Sequence, residues 1–254
     1  METELKSYQK LSSNAIKLIA IIAMTIDHVA GVIFGGFSTS PLAIVMHVIG
    51  RITCPIMCYC IAEGFHYTRN KNKYTLRLFI FALISHFPYV LASRSYVDLH
   101  SFIPFYYGSI FNQTSVIWSL AWGLVMLRIA NSEKIKQWLK CVLFLLICVV
   151  VFPADWSCIA VLYILFIGTN RGNFKAQMLW MVIFVTIYAV VYVFLINTVY
   201  GFIQLGVVLS VPILLLYNGK RGKNATVNKV MKWLFYIYYP LHLLIIGLVR
   251  VLMA

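Results

Sequence analysis

Asp27 and His28 stand side by side near the end of the first long apolar stretch, Ile16 to Gly31. A carboxylate beside an imidazole is a proton-transfer pair, in which the acid orients or charge-balances the base. Inside lipid the Asp alone costs roughly 2.5 kcal/mol or more, so a partner is required. The next apolar stretch supplies Arg51 as counter-charge, with His47 one helical turn before it. His47, Arg51, Cys54 and Cys58 step by four, three and four residues, which on a continuous helix is one face. The spacing allows Asp27 to reach Arg51 while His28 stays available as a base. A purely structural buried ion pair with a hydrogen-bonded histidine is the alternative.

A second cluster follows. Glu63 and His66 are three residues apart and run into Arg69, Lys71, Lys73 and Arg77. Such a group suits a phosphorylated ligand, or equally anionic lipid headgroups. His47, His86, Asp155 and His242 are ionisable residues in or at the ends of apolar stretches and are candidates for lining a polar cavity, with structural hydrogen bonding the alternative for His47 and His86. His100 lies in a polar loop and reads as solvated. The six cysteines fall in or beside apolar stretches, where thiols act as small core fillers, and no loop has a metal-ligand spacing, so no metal is expected.

The elements that must position these residues are membrane helices. Of 254 residues, 62% are hydrophobic and 11% charged, and mean hydropathy is +0.87, well outside the range of soluble domains. The expected fold is all-α, a polytopic helical bundle forming one domain over residues 1–254, with about nine spans: 14–34, 42–65, 74–92, 114–129, 141–152, 157–167, 178–195, 200–217 and 231–253. Ser12, Ser13 and Asn14 are potential caps for the first, which reads as a retained span and not a cleaved signal. The loop Ser93 to Asn112 is long enough to cover a cavity mouth.

The formal charge of +14 would suggest nucleic acid in a soluble protein, but the positives sit in short loops between spans, which excludes that reading. With the N-terminus cytoplasmic, eighteen Lys and Arg fall inside, only Arg94 and Arg250 outside, and Arg51 within a span. The positive-inside rule then puts the C-terminus outside and requires an odd number of spans. At about 1.5 Å per residue, Asp27, His28, His47, Arg51, His86 and Asp155 lie in the outer half, and His242 about midway. The sequence shows no inverted repeat and no paired interrupted spans, features that would favour a transporter.

Three stretches together carry a resemblance: Leu18 to His28, ending Thr-Ile-Asp-His; Ile49-Gly-Arg-Ile-Thr-Cys-Pro-Ile56 continuing to Ile61-Ala-Glu-Gly-Phe65; and Phe235-Tyr-Ile-Tyr-Tyr-Pro-Leu-His-Leu243. In this order they resemble the TraX family, named for the pilin N-terminal acetylase of conjugative plasmids and similar to a broader group of transmembrane acyltransferases. The resemblance covers nearly the whole chain. It implies acyl transfer, with acetyl-CoA as donor and a peptide or protein N-terminal amine, or a glycan hydroxyl, as acceptor. It implies His28 as the catalytic histidine with Asp27 beside it, and it matches Arg51, Glu63 and His242 to the family's buried Arg, its Ala-Glu-Gly-Phe segment and its Pro-Leu-His. Asp155-Trp-Ser stands where the family more often has Asp-Tyr-Gly.

On that basis the chain is expected to be a multi-pass enzyme of the plasma (cytoplasmic) membrane. Arg69, Lys71, Lys73 and Arg77, with Glu63 and His66, would receive the donor's phosphates. Asp27, His28 and Arg51 would serve the transfer. The rival is a transporter or channel using the same Asp, His and Arg as a relay. An intramembrane hydrolase lacks any motif tying a Ser or Cys to a base.

Overall fold

In the computed structural model, which describes residues 7–94, 96–108 and 110–253, the chain is helical throughout, and β-structure among these residues is limited to isolated bridges, Leu11 to Tyr217 and Thr114 to Ala154. The helices are α1 (Ser13–Ile33), α2 (Pro41–Gly50), α3 (Thr53–Tyr67), α4 (Lys71–Ser93), α5 (Val116–Ala130), α6 (Gln137–Val151), α7 (Ser157–Thr169), α8 (Phe174–Leu195), α9 (Thr198–Gln204), α10 (Ser210–Leu215) and α11 (Ala225–Met253). Short 3-10 turns occupy Leu99–Phe102 and Leu205–Leu209. Among the described residues, six apolar helical stretches are long enough to cross a membrane: α1, α2 with α3, α4, α8, α9 through α10, and α11. Helices α5, α6 and α7 are apolar but shorter than the roughly 20 residues of a straight crossing.

Caps set the helix starts. Ser12 accepts a hydrogen bond from Ala15 N at 3.3 Å, and Asn70 accepts one from Lys73 N at 2.9 Å, each satisfying an orphan donor of a first turn.

Two of the long stretches are broken, which corrects the expectation that interrupted spans are lacking. Between α2 and α3 the ladder tightens at Arg51 and Ile52, where Ile52 N bonds Ile49 O at 3.3 Å. Pro55 explains the break: it has no N–H to give and its ring crowds the carbonyl four residues back, that of Arg51. Pro212 lies in the first turn of α10, and the 3-10 turn Leu205–Leu209 precedes it in the same way. The stretch from His47 to Cys58 is therefore not one helix face.

The chain groups into two compact units. The first comprises Met1–Cys60 and Val185–Tyr238. Here α1 packs on α2 because Gly50 leaves room for Asp27: a Cβ at position 50 would stand 2.7 Å from Asp27 Oδ1. Gly206 lies close to Val48, whose carbonyl would be 2.9 Å from an added Cβ. The ends of this unit are tied by Ser13 N to Lys220 O at 2.8 Å and by Asn14 to Asn228 at 2.6 Å.

The second unit comprises Ile61–Phe184 and Tyr239–Ala254. Close approach of α5 and α7 sets its core, with Gly123 against Ile164 and Gly168 against Leu127. Helix α6 adds Ile147 and Val151 to Met126, Val161 and Leu165. The turn before α7 carries two successive left-handed residues, Trp156 (φ 61°) and Ser157 (φ 46°), unusual away from glycine.

The long loop after α4 folds over an apolar cavity of about 350 Å³ whose lining includes His86, Phe102, Phe105, Gln113, Thr114 and Trp118. His86 Nε2 donates to Phe102 O at 2.9 Å, and Nδ1 accepts from the Thr114 hydroxyl at 3.1 Å. Gln113, buried, accepts from Phe105 N and Arg94 and donates to Phe111 O. At the loop's start Asp98 accepts from Ser101 N and from the Tyr107 hydroxyl, which hold its carboxyl down to about 2. A carboxyl depressed on folding lends order when ionised, fully above its ordinary value and less as pH falls through the depressed one. Hydrogen-exchange protection at Ser101, corrected for intrinsic rate, should thus hold from neutral pH down to about pH 4 and fall away between there and about pH 2.

Candidate active site

The first unit sets two polar side chains, Arg51 and His47, on the Asp27 carboxylate. Arg51 Nη2 lies 2.9 Å from Oδ1 and 2.7 Å from Oδ2. His47 Nδ1 lies 2.7 Å from Oδ1. Arg51 also donates through Nη1 to Gln204 Oε1 at 3.2 Å and through Nε to the His47 carbonyl at 3.3 Å. The ionic side chains are largely buried, at 16% exposure for Asp27 and Arg51 and 8% for His47. Gln204 is closed off from solvent.

Each member is delivered by a distinct feature of the chain. Asp27 comes from the straight helix α1, and Gly50 lets it approach. Arg51 caps α2 at the break before Pro55, its N–H still bonded to His47 O at 3.1 Å while its guanidinium turns to the carboxylate. Gln204 ends α9 where the 3-10 turn begins. Tyr200, one turn earlier, sets its ring 5.3 Å from the His47 imidazole and anchors its hydroxyl on Gly36 O at 2.9 Å. The arrangement is a charge-balanced carboxylate that holds an imidazole by one nitrogen. Such a set can orient a proton acceptor, as the acid of a catalytic triad does, or serve as a station in an ion path.

His28 lies half-buried on α1, within electrostatic range of Asp27, Arg51 and His47. The other histidines and Asp155 expected in a cavity belong to the second unit. There His86 is a strut between α4 and the loop, and Asp155 meets the same Thr114 through its backbone, N to O at 2.9 Å. His242 is buried on α11 with its ring 5.6 Å from that of Tyr239.

The expected phosphate-binding residues also lie in the second unit. Glu63 accepts from Arg171 Nε at 2.9 Å, which holds the guanidinium above its ordinary pKa, and Arg171 also reaches the Tyr67 hydroxyl at 3.0 Å. Lys71 stands 3.9 Å over the Phe65 ring, whose edge meets the ring of exposed His66. Arg69 and Lys73 are exposed, and Arg77 is half-buried near Tyr74.

Gln204, Tyr200 and Arg171 were not singled out from sequence. A lone amide within the apolar run from Tyr200 to Tyr217 was a signal for Gln204, since such a group needs a buried partner. Arg171 lies among other loop cations and carried no signal of its own.

Removing one member of a buried ion pair costs about 3–5 kcal/mol because the other charge is left uncompensated. Asp27→Ala and Arg51→Ala should each lower the unfolding free energy of the reconstituted protein by about that amount, read by denaturant titration. Gly50→Leu should do likewise by forcing α1 from α2, and an unchanged midpoint would show that the close approach is not needed.

Comparison with known proteins agrees in one direction. Residues 12–250 match the family model described as TraX protein. A probable fimbrial assembly protein FimC (serogroup H1) of Dichelobacter nodosus is 26% identical over 242 residues, 91% of this chain and 93% of that protein. An uncharacterized protein, RP591, of Rickettsia prowazekii is 28% identical over 102 residues, 40% of this chain and 35% of its own. No solved structure matches. With a match that takes in α1 through most of α11, and with it every residue of the Asp27 centre, this chain belongs to the TraX family.

Proposed function

We propose that this protein is a membrane acyltransferase that moves an acetyl group from acetyl-CoA to an acceptor at the outer side of the plasma membrane. The observation that carries the reading is the Asp27 carboxylate, largely buried in an apolar helical unit and shared by Arg51 and an imidazole. Such a group is costly in lipid and is characteristically functional. Arg51 balances the carboxylate, and an imidazole beside it accepts the acceptor's proton. Arg69, Lys71, Lys73 and Arg77, with Glu63 and His66 beside them, bind the donor's phosphates, as arginine and lysine clusters do. His86 is spent on the loop as a strut, and Asp155 and His242 are the remaining cavity residues of this reading.

The printed name of the Dichelobacter relative, fimbrial assembly, favours a protein N-terminal amine over a glycan hydroxyl as acceptor. In this reading the helices make nine crossings, with the N-terminus cytoplasmic and the C-terminus outside, as the loop charges favour. A cysteine-reactive impermeant probe should then label a cysteine placed at Leu99 from outside, and one placed at Lys223 only after the membrane is opened.

The broken stretches α2–α3 and α9–α10 favour a second reading, transport, since interrupted helices commonly form ion and substrate sites in transporters. Purified protein in nanodiscs, given labelled acetyl-CoA and peptides with free N-terminal amines, separates the two. Acyl transfer should yield labelled peptide and an equal amount of free CoA. Failure to release CoA or to label any peptide or glycan acceptor would leave transport as the better account.

A further inference from the structure

We propose that His47, through Nε2, is the group that takes the proton from the acceptor, with Asp27, Tyr200 and Gln204 as its positioning residues; the assignment rests on the acyl-transfer reading above. The family resemblance gives that role to His28. The hydrogen bonds of the centre favour the other histidine.

An ionised carboxylate can only accept, and both oxygens of Asp27 accept from Nη2 of Arg51. The 2.7 Å contact between His47 and Asp27 therefore puts the ring proton on Nδ1. In the neutral ring Nε2 then carries the lone pair and is the proton-accepting atom. That atom is buried and has no hydrogen-bond partner among the described residues. A histidine kept only as a strut is satisfied at both nitrogens, as His86 is with Phe102 and Thr114. His47 is satisfied at one.

The ring is held on several sides. Tyr200 sits against it. Its backbone carbonyl accepts from Arg51, and Arg51 is fixed in turn by Gln204. His28 follows Asp27 on the same helix, and adjacent helical residues diverge instead of facing each other. The carboxylate turned towards α2 orients His47.

The step balances as follows. The lone pair of the acceptor amine or hydroxyl attacks the thioester carbonyl carbon while its proton passes to His47 Nε2. The resulting imidazolium keeps its Nδ1–H on Asp27. When the tetrahedral adduct collapses, the carbon–sulfur bond breaks and the thiolate takes the proton back from Nε2, leaving CoA and the acylated acceptor. His47 ends as it began.

His47→Asn keeps a side-chain N–H that can reach Asp27 but removes Nε2. In nanodiscs, with acetyl-CoA and an amine-bearing peptide, it should lose about 10²- to 10⁴-fold in kcat, with KM for acetyl-CoA within about threefold. His28→Asn should lose far less. If His47→Asn keeps wild-type kcat while His28→Asn loses it, the assignment is overturned and acyl transfer stands. Should the wild-type protein release no CoA, acyl transfer itself falls and the assignment with it.

One measurement needs no turnover and no acceptor. Side-chain nitrogen NMR of the histidine-labelled wild-type protein should show the His47 proton on Nδ1, and that preference should disappear in Asp27→Asn. A proton found on Nε2 would overturn the assignment.

Discussion

One carboxylate in apolar surroundings organises the first unit. Asp27 would sit at high cost among α1, α2 and α9 without a cation, and Arg51 supplies one where α1 and α2 approach closely. The chain arranges this with small local devices: a glycine where the helices touch and a proline just past the break at the arginine. Gln204 and the His47 carbonyl then take up further donors of the guanidinium. Against this network Nε2 of His47 stands out as a buried atom with no hydrogen-bond partner among the described residues.

Much of the helical order was legible in sequence, because hydropathy runs of about 20 residues leave little choice in lipid. Every apolar stretch expected to be a span carries helix, although among the described residues only six stretches have the length to cross. The meeting of Asp27 and Arg51 was also accessible, since a lone buried charge of each sign seeks the other. That His47 joins them was not. It depends on how α2 is rotated against α1, which Gly50 and Val48 decide through contacts with residues distant in sequence. The breaks were signalled by Pro55 and Pro212, but a proline in an apolar run can bend a helix or merely sit in its first turn, and only the backbone distinguishes these.

The second unit solves a different problem. Its polar residues are spent on holding a long loop in place: His86, Gln113 and Arg94 all bond to that loop or to its flanks. With those groups satisfied, the cavity beneath the loop presents mainly carbon. A space of that kind suits an apolar group and offers little to a phosphate. The cationic residues near Glu63 lie in the same unit but share no bond with that loop among those described.

Gly50 has a consequence for how this sequence can change over generations. Since its missing side chain is the space that Asp27 fills, neither position can drift by itself: enlarging residue 50 evicts the carboxylate, and losing the carboxylate strands Arg51. Two positions on separate helices thus form a single heritable unit. A lineage could leave it only through paired replacements, and the first of any pair would meet the full penalty alone.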